Sequence, residues 1–156
     1  MNKACALCKR GFEVKYRGWY DRFVPWACSS KCFRLMSAAT REDWSPLSYP
    51  ERIQVFKHSD RSFRSQYEAE FSEWLRRNKV PHLFEPYVFT LANKSRYVPD
   101  FFIYNSVFVE VKGIWGSEGK KKFISVHEEF YGVPLIVMDL DFIRMLKRTE
   151  KVEVKK

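Results

Sequence analysis

Two groups of residues in this sequence have types and spacings that support chemistry. The first is Asp100 followed by Glu110 and Lys112, a D-x9-E-x-K pattern. Glu110 and Lys112 are two apart in a strand-like segment, so their side chains share one face while Val109 and Val111 take the other. Carboxylates beside Phe101, Phe102, Val107 and Phe108 are costly to bury unless their charge is offset, and a divalent cation on carboxylate oxygens does that. Asp100 and Glu110 are the natural ligands for Mg²⁺ or Mn²⁺. Phosphodiester hydrolysis needs a water made nucleophilic, charge neutralised on the phosphate and a stabilised leaving oxygen, most of which such an ion supplies. Lys112 then orients the attacking water or stabilises the charge that develops on the phosphoryl oxygens.

The second group is the cysteines. All four lie in the first 32 residues, as Cys5-x2-Cys8 and Cys28-x3-Cys32 with 19 residues between the pairs. In a reducing compartment such clustering indicates a metal rather than disulfides, and two sequence-close pairs supply the four thiolates of a tetrahedral structural Zn²⁺ site. CALCKRGF followed by ACSSKCFRLM resembles treble-clef zinc fingers, in which a knuckle and the first turn of a helix carry the ligands. Lys9, Arg10, Arg17, Lys31 and Arg34 stand around it as candidate phosphate contacts. The nearby Tyr16, Trp19, Tyr20 and Trp26 read as packing of a small module. His58, His82 and His127 are scattered and read as structural or exposed.

The elements that must position these residues follow from periodicity. Phe63, Tyr67, Phe71, Trp74 and Leu75 recur at intervals of three or four and predict a helix over 62–78, ending before Pro81. HLFEPYVFTL reads as a strand broken by Pro86, RYVPDFFIY as a second, and VFVEVKG as a third after an Asn105-Ser106 turn, the last two forming a hairpin. Helical spacing returns over 120–131, PLIVMDL reads as a buried strand, and 141–148 as a final helix. This order predicts an α/β fold with one mixed sheet flanked by helices. The turn-rich DWSPLSYPERIQVFKHSD reads as a connector, which divides the chain into a zinc module at 1–45, a linker at 46–61, an α/β domain at 62–150 and a frayed tail at 151–156.

The first helix offers three further carboxylates. Projected at 100° per residue, Glu73 falls outside the apolar stripe, and Glu68 and Glu70 flank it on opposite sides, so periodicity leaves those two tied. SQYEAEF together with RYVPDFFIYNSVFVEVKGIWGSEGKKKF resembles the PD-(D/E)xK nuclease superfamily, and within it the phage junction-resolving endonuclease I family. The family pattern of a helix Glu, Pro-Asp, Glu-x-Lys-Gly and an aromatic falls on Glu68, Pro99 and Asp100, Glu110 and Lys112, Gly113, and Trp115. The likeness covers roughly residues 62–128. It implies a restriction-endonuclease-like fold, a Mg²⁺ site of Asp100 and Glu110 with Glu68 as a further or water-mediated ligand, and a catalytic Lys112. It also implies a dimer that cuts branched DNA, with Lys120, Lys121 and Lys122 as DNA contacts just past the motif.

Composition agrees with a nucleic-acid partner. The chain of 156 residues carries 28 Lys and Arg against 19 Asp and Glu, a net charge of +9 that raises the potential toward polyanions. Hydrophobic residues make up 46%, enough for a core, which excludes a largely disordered chain. No run of about 18 apolar residues exists and MNKACALCKR has no apolar stretch, so the expected setting is cytoplasmic with no membrane partner, and the family resemblance implies a bacterial or phage-infected cell. The sequence therefore reads as a metal-dependent endonuclease acting on branched or duplex DNA. The alternatives are a sequence-specific or nicking enzyme of the homing or restriction kind, and a non-catalytic DNA-binding assembly protein.

Overall fold

A computed structural model of the chain describes residues 2–5, 8–13, 31–32, 49, 51–56, 62–130 and 132–153, with side chains up to 148. Strands β1 (Asn2–Ala4) and β2 (Gly11–Glu13) form an antiparallel pair. Strand β3 (Ile53–Val55) is followed by helix α1 (Gln66–Arg77), β4 (His82–Phe84), β5 (Tyr87–Thr90), β6 (Arg96–Tyr97), β7 (Phe101–Ile103) and β8 (Val107–Lys112). Helix α2 (Ser117–Glu129), strand β9 (Leu135–Asp139) and helix α3 (Leu140–Glu153) complete the order. The fold is mixed α/β, as expected from the sequence, with two sheets in place of the single one in the body. These sheets run β3-β5-β6 and β4-β7-β8-β9.

Helix α1 starts at Gln66 rather than at 62 because Ser65 caps it, its hydroxyl accepting from Glu68 N at 3.2 Å. It ends in a Schellman pair, Lys79 N to Arg76 O and Val80 N to Leu75 O, with Lys79 in the left-handed region at φ 54°. The hairpin of β7 and β8 pairs Phe101 with Val109 and Ile103 with Val107. Its turn is centred one residue earlier than Asn105-Ser106: Tyr104 and Asn105 take φ of 51° and 54°, and Ser106 N donates to Ile103 O. Strand β9 lies parallel to β8, setting Glu110 opposite Val137 and Lys112 opposite Asp139. Central in its sheet, β8 is buried through Val111, so both of its faces are covered.

The two long strands read from sequence are each split between the sheets. Proline has no N–H to give to a ladder. The chain leaves the four-stranded sheet after β4 at Glu85-Pro86, and it re-enters that sheet through Val98, Pro99 and Asp100. The two crossings are stitched together where Glu85 N donates to Asp100 O at 2.8 Å. Asp100 is thereby fixed where the backbone changes sheets.

The expected linker also carries structure. Ile53 pairs with Phe89 and is buried. Arg52 Nε donates to Thr90 O at 3.0 Å, and its guanidinium pairs with Glu129 and lies over the Phe130 ring. At the other end, α3 runs through Glu153 where a frayed tail was expected from 151. Asp139 caps it by accepting from Phe142 N at 2.8 Å, buried Phe142, Ile143 and Leu146 anchor it, and its last residues are mostly good helix formers. The core between the sheet and α1, α2 and α3 is aromatic, with Phe71, Trp74, Phe89, Phe101, Phe108 and Phe123 fully enclosed.

Candidate active site

The four residues singled out from the motif come from three elements: Glu68 from the first turn of α1, Asp100 from the crossing before β7, and Glu110 and Lys112 from β8. Glu68 and Asp100 are each 8% exposed and Glu110 3%, so the strand is not a solvated polar face. Lys112 Nζ sits 2.5 Å from Glu110 Oε1, with its side chain 30% exposed. Asp100 Oδ2 accepts from Val111 N at 2.6 Å, a bond across the hairpin that locks its carboxylate beside Glu110. Glu110 Oε2 accepts from the Tyr97 hydroxyl at 2.7 Å.

The tie between Glu68 and Glu70 is separated by their partners. Glu70 Oε2 takes Lys147 of α3 at 2.5 Å, and Glu73 pairs with Arg76 and Arg77 on the outer face. Glu68 faces inward and closes a reciprocal cap: its oxygens accept from Arg64 N and Ser65 Oγ, each at 2.9 Å, while its own N–H goes to Ser65. Its charge is felt at Asp100, Glu110 and Lys112.

Electrostatics show what the site lacks. Burial pushes the Asp100 carboxyl well above the usual range, and the Glu110 charge adds to this against the Val111 N–H bond. Burial also raises Glu110, more than the Lys112 charge and the bonds from Lys112 and Tyr97 lower it. Desolvation opposes the Lys112 ammonium, but Glu110, then Asp100 and Glu68, outweigh it and raise its pKa, so the lysine stays protonated at neutral pH. One ammonium faces three carboxylates, a deficit of positive charge that a divalent cation fits. Among the described residues the carboxylates do not close a tight cage, since the only group of three ligand atoms all within 4.8 Å of one another is that of Cys5, Cys8 and Cys32.

Aromatic rings line the end of the motif. A Cβ on Gly113 would lie 3.1 Å from the Tyr67 ring, a close approach that any larger residue could make only by shifting that ring. Trp115 packs edge-on against Phe123, with Lys112 Nζ 5.8 Å from the centre of its ring. On α2, Lys121 is exposed and Lys120 and Lys122 half-buried.

The sequence of which these residues are part is matched by the sequence model of phage endonuclease I over residues 51–149. The chain belongs to the phage endonuclease I family. Relatives of this family include "Endonuclease I" of Escherichia phage T7, 36% identical over 72 residues, which are 44% of this chain and 48% of the relative. "Endodeoxyribonuclease 1" of Enterobacteria phage T3 is 34% identical over 73 residues, 44% of this chain and 47% of the relative. The chain thus spans about half the length of the curated relatives it matches. The family segment takes in Ile53–Val55, all of the carboxylates and Lys112, and leaves the cysteines outside.

In that outer part, Cys5, Cys8 and Cys32 bring their sulfurs together, a cluster able to hold a metal ion. Cys5 follows β1 and Cys8 precedes β2; Lys9 N donates to Cys5 O, Cys5 N to Arg10 O, and Lys9 takes φ 61°. Cys32 lies in a helical turn. Lys9, Arg10 and Lys31 are exposed around the cluster. Cys28, Arg17, Arg34, His58 and the aromatics of 16–26 lie outside the described residues. His82 and His127 stand in structural places, His82 against Val80 O and Ser72, and His127 on the Phe123 ring. Among the described residues no helix is long and apolar enough to cross a membrane.

Sequence reasoning missed two partners of the site. Tyr97 looked like one more aromatic of a strand, although its place two residues before Pro99 puts it at the edge of a break. Glu85, 3% exposed and paired with Arg64 at 2.5 Å, was hidden because its burial depends on the crossing beside Asp100.

Proposed function

We propose that the chain is a Mg²⁺-dependent DNA endonuclease with Asp100, Glu110 and Lys112 at its centre and Glu68 as a further or water-mediated ligand. The observation that carries this is the enclosed cluster in which Lys112 Nζ contacts Glu110 beside Asp100, with burial holding both carboxyls above their usual range. A structural ion pair would be satisfied by one carboxylate. Three carboxylates around one ammonium leave charge for a cation, and the family relatives are endonucleases by name.

When bound, Mg²⁺ or Mn²⁺ neutralises the scissile phosphate and lowers the pKa of a water. Asp100 and Glu110 hold the ion. Lys112 serves as a donor and positive charge toward the phosphoryl oxygens or the attacking water. Lys120, Lys121 and Lys122, at the start of α2, contact flanking phosphates. The cysteines hold a structural Zn²⁺, completed by Cys28, in a separate module of residues 1–45 whose Lys9, Arg10, Arg17, Lys31 and Arg34 add phosphate contacts.

Four-way or other branched DNA is the substrate this reading favours, through the family resemblance. Resolving a junction needs two symmetric cuts and the described residues of each chain hold one such carboxylate cluster, so the working form is a homodimer. The test is Mg²⁺-dependent cleavage of a synthetic four-way junction beside a linear duplex of the same arms, with the natural chain and Lys112→Ala. Paired cuts near the branch point of the junction alone, lost in the variant, are expected. Equal or sequence-defined cutting of the linear duplex would retain the nuclease and remove junction preference. Absence of cutting on both would leave a DNA-binding protein.

A further inference from the structure

Glu110 has both carboxylate oxygens engaged, and the two partners differ in kind. Oε1 holds the Lys112 ammonium, at the end of a flexible side chain 30% exposed. Oε2 accepts from the Tyr97 hydroxyl at 2.7 Å. Tyr97 is 7% exposed, and its ring is braced edge-on by Phe89 at 6.4 Å and Phe123 at 6.5 Å. It is also the last residue of β6, paired with Phe89 of β5. The three-stranded sheet therefore delivers one hydroxyl to the central strand of the four-stranded sheet, three residues ahead of Asp100.

We propose that Tyr97 is a positioning residue for Glu110: its hydroxyl fixes Oε2, so that Oε1 is the oxygen offered to the divalent cation, in place of the more mobile Lys112. This rests on the cation site proposed above. The physical ground is that a carboxylate with two free oxygens rotates about its last torsion, whereas one tethered by a rigid donor presents the other oxygen in one direction. Outer partners of this kind orient metal ligands, and their loss commonly costs about 10–100-fold in metal affinity or activity. A buried tyrosine hydroxyl also needs some acceptor simply to be buried. The two roles are separable, because packing alone predicts no change in ion binding when the ring is kept.

The experiment uses the full chain as purified and titrates Mn²⁺, reading the free ion by its electron paramagnetic resonance signal, with no DNA present. Tyr97→Phe, which keeps the ring, is expected to weaken Mn²⁺ binding about 10-fold while the circular dichroism spectrum stays as in the natural chain. Glu110→Gln is expected to weaken it at least as much, and Tyr97→Phe added to Glu110→Gln to cause no further loss, since the hydroxyl acts only through that carboxylate. Natural affinity in Tyr97→Phe, a full additional loss in the double variant, or no Glu110-dependent binding in the natural chain would each overturn the proposal. Junction and duplex cleavage are measured on the same preparations. A natural chain that binds Mn²⁺ through Glu110 and Tyr97 but cuts nothing would sink the nuclease reading alone, and one that cuts DNA while Tyr97→Phe binds the ion normally would sink the positioning role alone.

Discussion

The carboxylate site and the cysteine cluster are both gatherings of metal-competent side chains, and they are built in opposite ways. Glu68, Asp100 and Glu110 are far apart in sequence and are brought together by α1, a crossing between sheets and the central strand β8, all backed by the core. Their charge is met by the fixed donors Val111 N–H, Tyr97 OH, Arg64 N–H and Ser65 OH and by the more mobile Lys112 ammonium, so the site stands before any ion arrives. Cys5 and Cys8 are three apart, between strands β1 and β2, which bury none of their residues. There, Cys5 is the buried residue among those described at the cluster. The lesson is that in one place the fold makes the site, and in the other the proposed Zn²⁺ would have to supply the folding energy that burial does not.

The largest expected effect tests the second half of that contrast. Structural zinc binding in small modules is worth about 10–16 kcal/mol and is folding free energy there. Cys5→Ser is expected to abolish zinc retention, measured by atomic emission on the purified chain, and to open residues 2–13 to protease. The body from β3 to α3 should keep its thermal transition. Loss of that transition together with the zinc would mean that the body depends on the module and would break the contrast. Full zinc content in the variant would remove Cys5 from the ligand set.

Next in size is Glu110→Gln, expected to lower the cleavage rate by about 10²–10³-fold, the scale of losing one preorganised charge. Because burial already disfavours the Glu110 carboxylate, the neutral isostere should leave the melting temperature nearly unchanged and DNA binding intact. A variant that melts far lower would show the carboxylate to be a structural partner of Lys112 rather than an ion ligand. Normal cutting would remove it from the chemistry.

Much of the arrangement was legible beforehand, for identifiable reasons. The hairpin of β7 and β8 showed in the alternation of FFIYNSVFVEVK because strand pairing across a short turn is local, and β9 in an unbroken apolar run. What escaped depended on partners distant in sequence. Ile53–Val55 is too short to show a period, and it pairs with a strand more than thirty residues away. Glu68 and Glu70 flank the apolar stripe symmetrically, and the difference between them comes from Lys147 on another helix. A local clue did exist, since Ser65-x-x-Glu68 is a capping-box spacing that places Glu68 back against the helix start. Pro99, like Pro86, marked a break in a strand, and reading it so would have separated Tyr97 from Phe101 and drawn attention to the residues between them.

A smaller effect follows from the raised carboxyls. Asp100 and Glu110 have folded-state pKa values above those of the unfolded chain, so without the ion the folded state binds the extra protons. Stability is then expected to fall as pH rises from the ordinary carboxylate range through the raised values. The proposed Mg²⁺ site would need the deprotonated pair, so stabilisation by the ion should grow with pH across the same window, reaching about 2.7 kcal/mol when the ion is at a hundredfold excess over its Kd. Melting curves against pH with and without Mg²⁺ measure this, and Glu110→Gln should flatten the difference. A Mg²⁺ effect that is constant with pH would mean that the carboxylates are already ionised, and the site less enclosed than its burial indicates.

The smallest expected effects decide which region grips DNA. Each phosphate contact that is lost lowers the slope of log affinity against log salt by about 0.9. Removing Lys120, Lys121 and Lys122 together is expected to reduce the slope by more than one such step and also to slow cleavage at saturating DNA, because α2 begins four residues after Gly113 and sets the strand against the ion site. Removing Lys9, Arg10 and Lys31 is expected to reduce the slope but leave the saturated rate alone, since the cluster they surround lies outside the family segment. An unchanged slope in the second set would make the cysteine module a stabiliser with no hold on the substrate. A lowered saturated rate in the second set would instead mean that the module reaches the scissile phosphate, and the two regions would then form one active surface rather than two separately built sites.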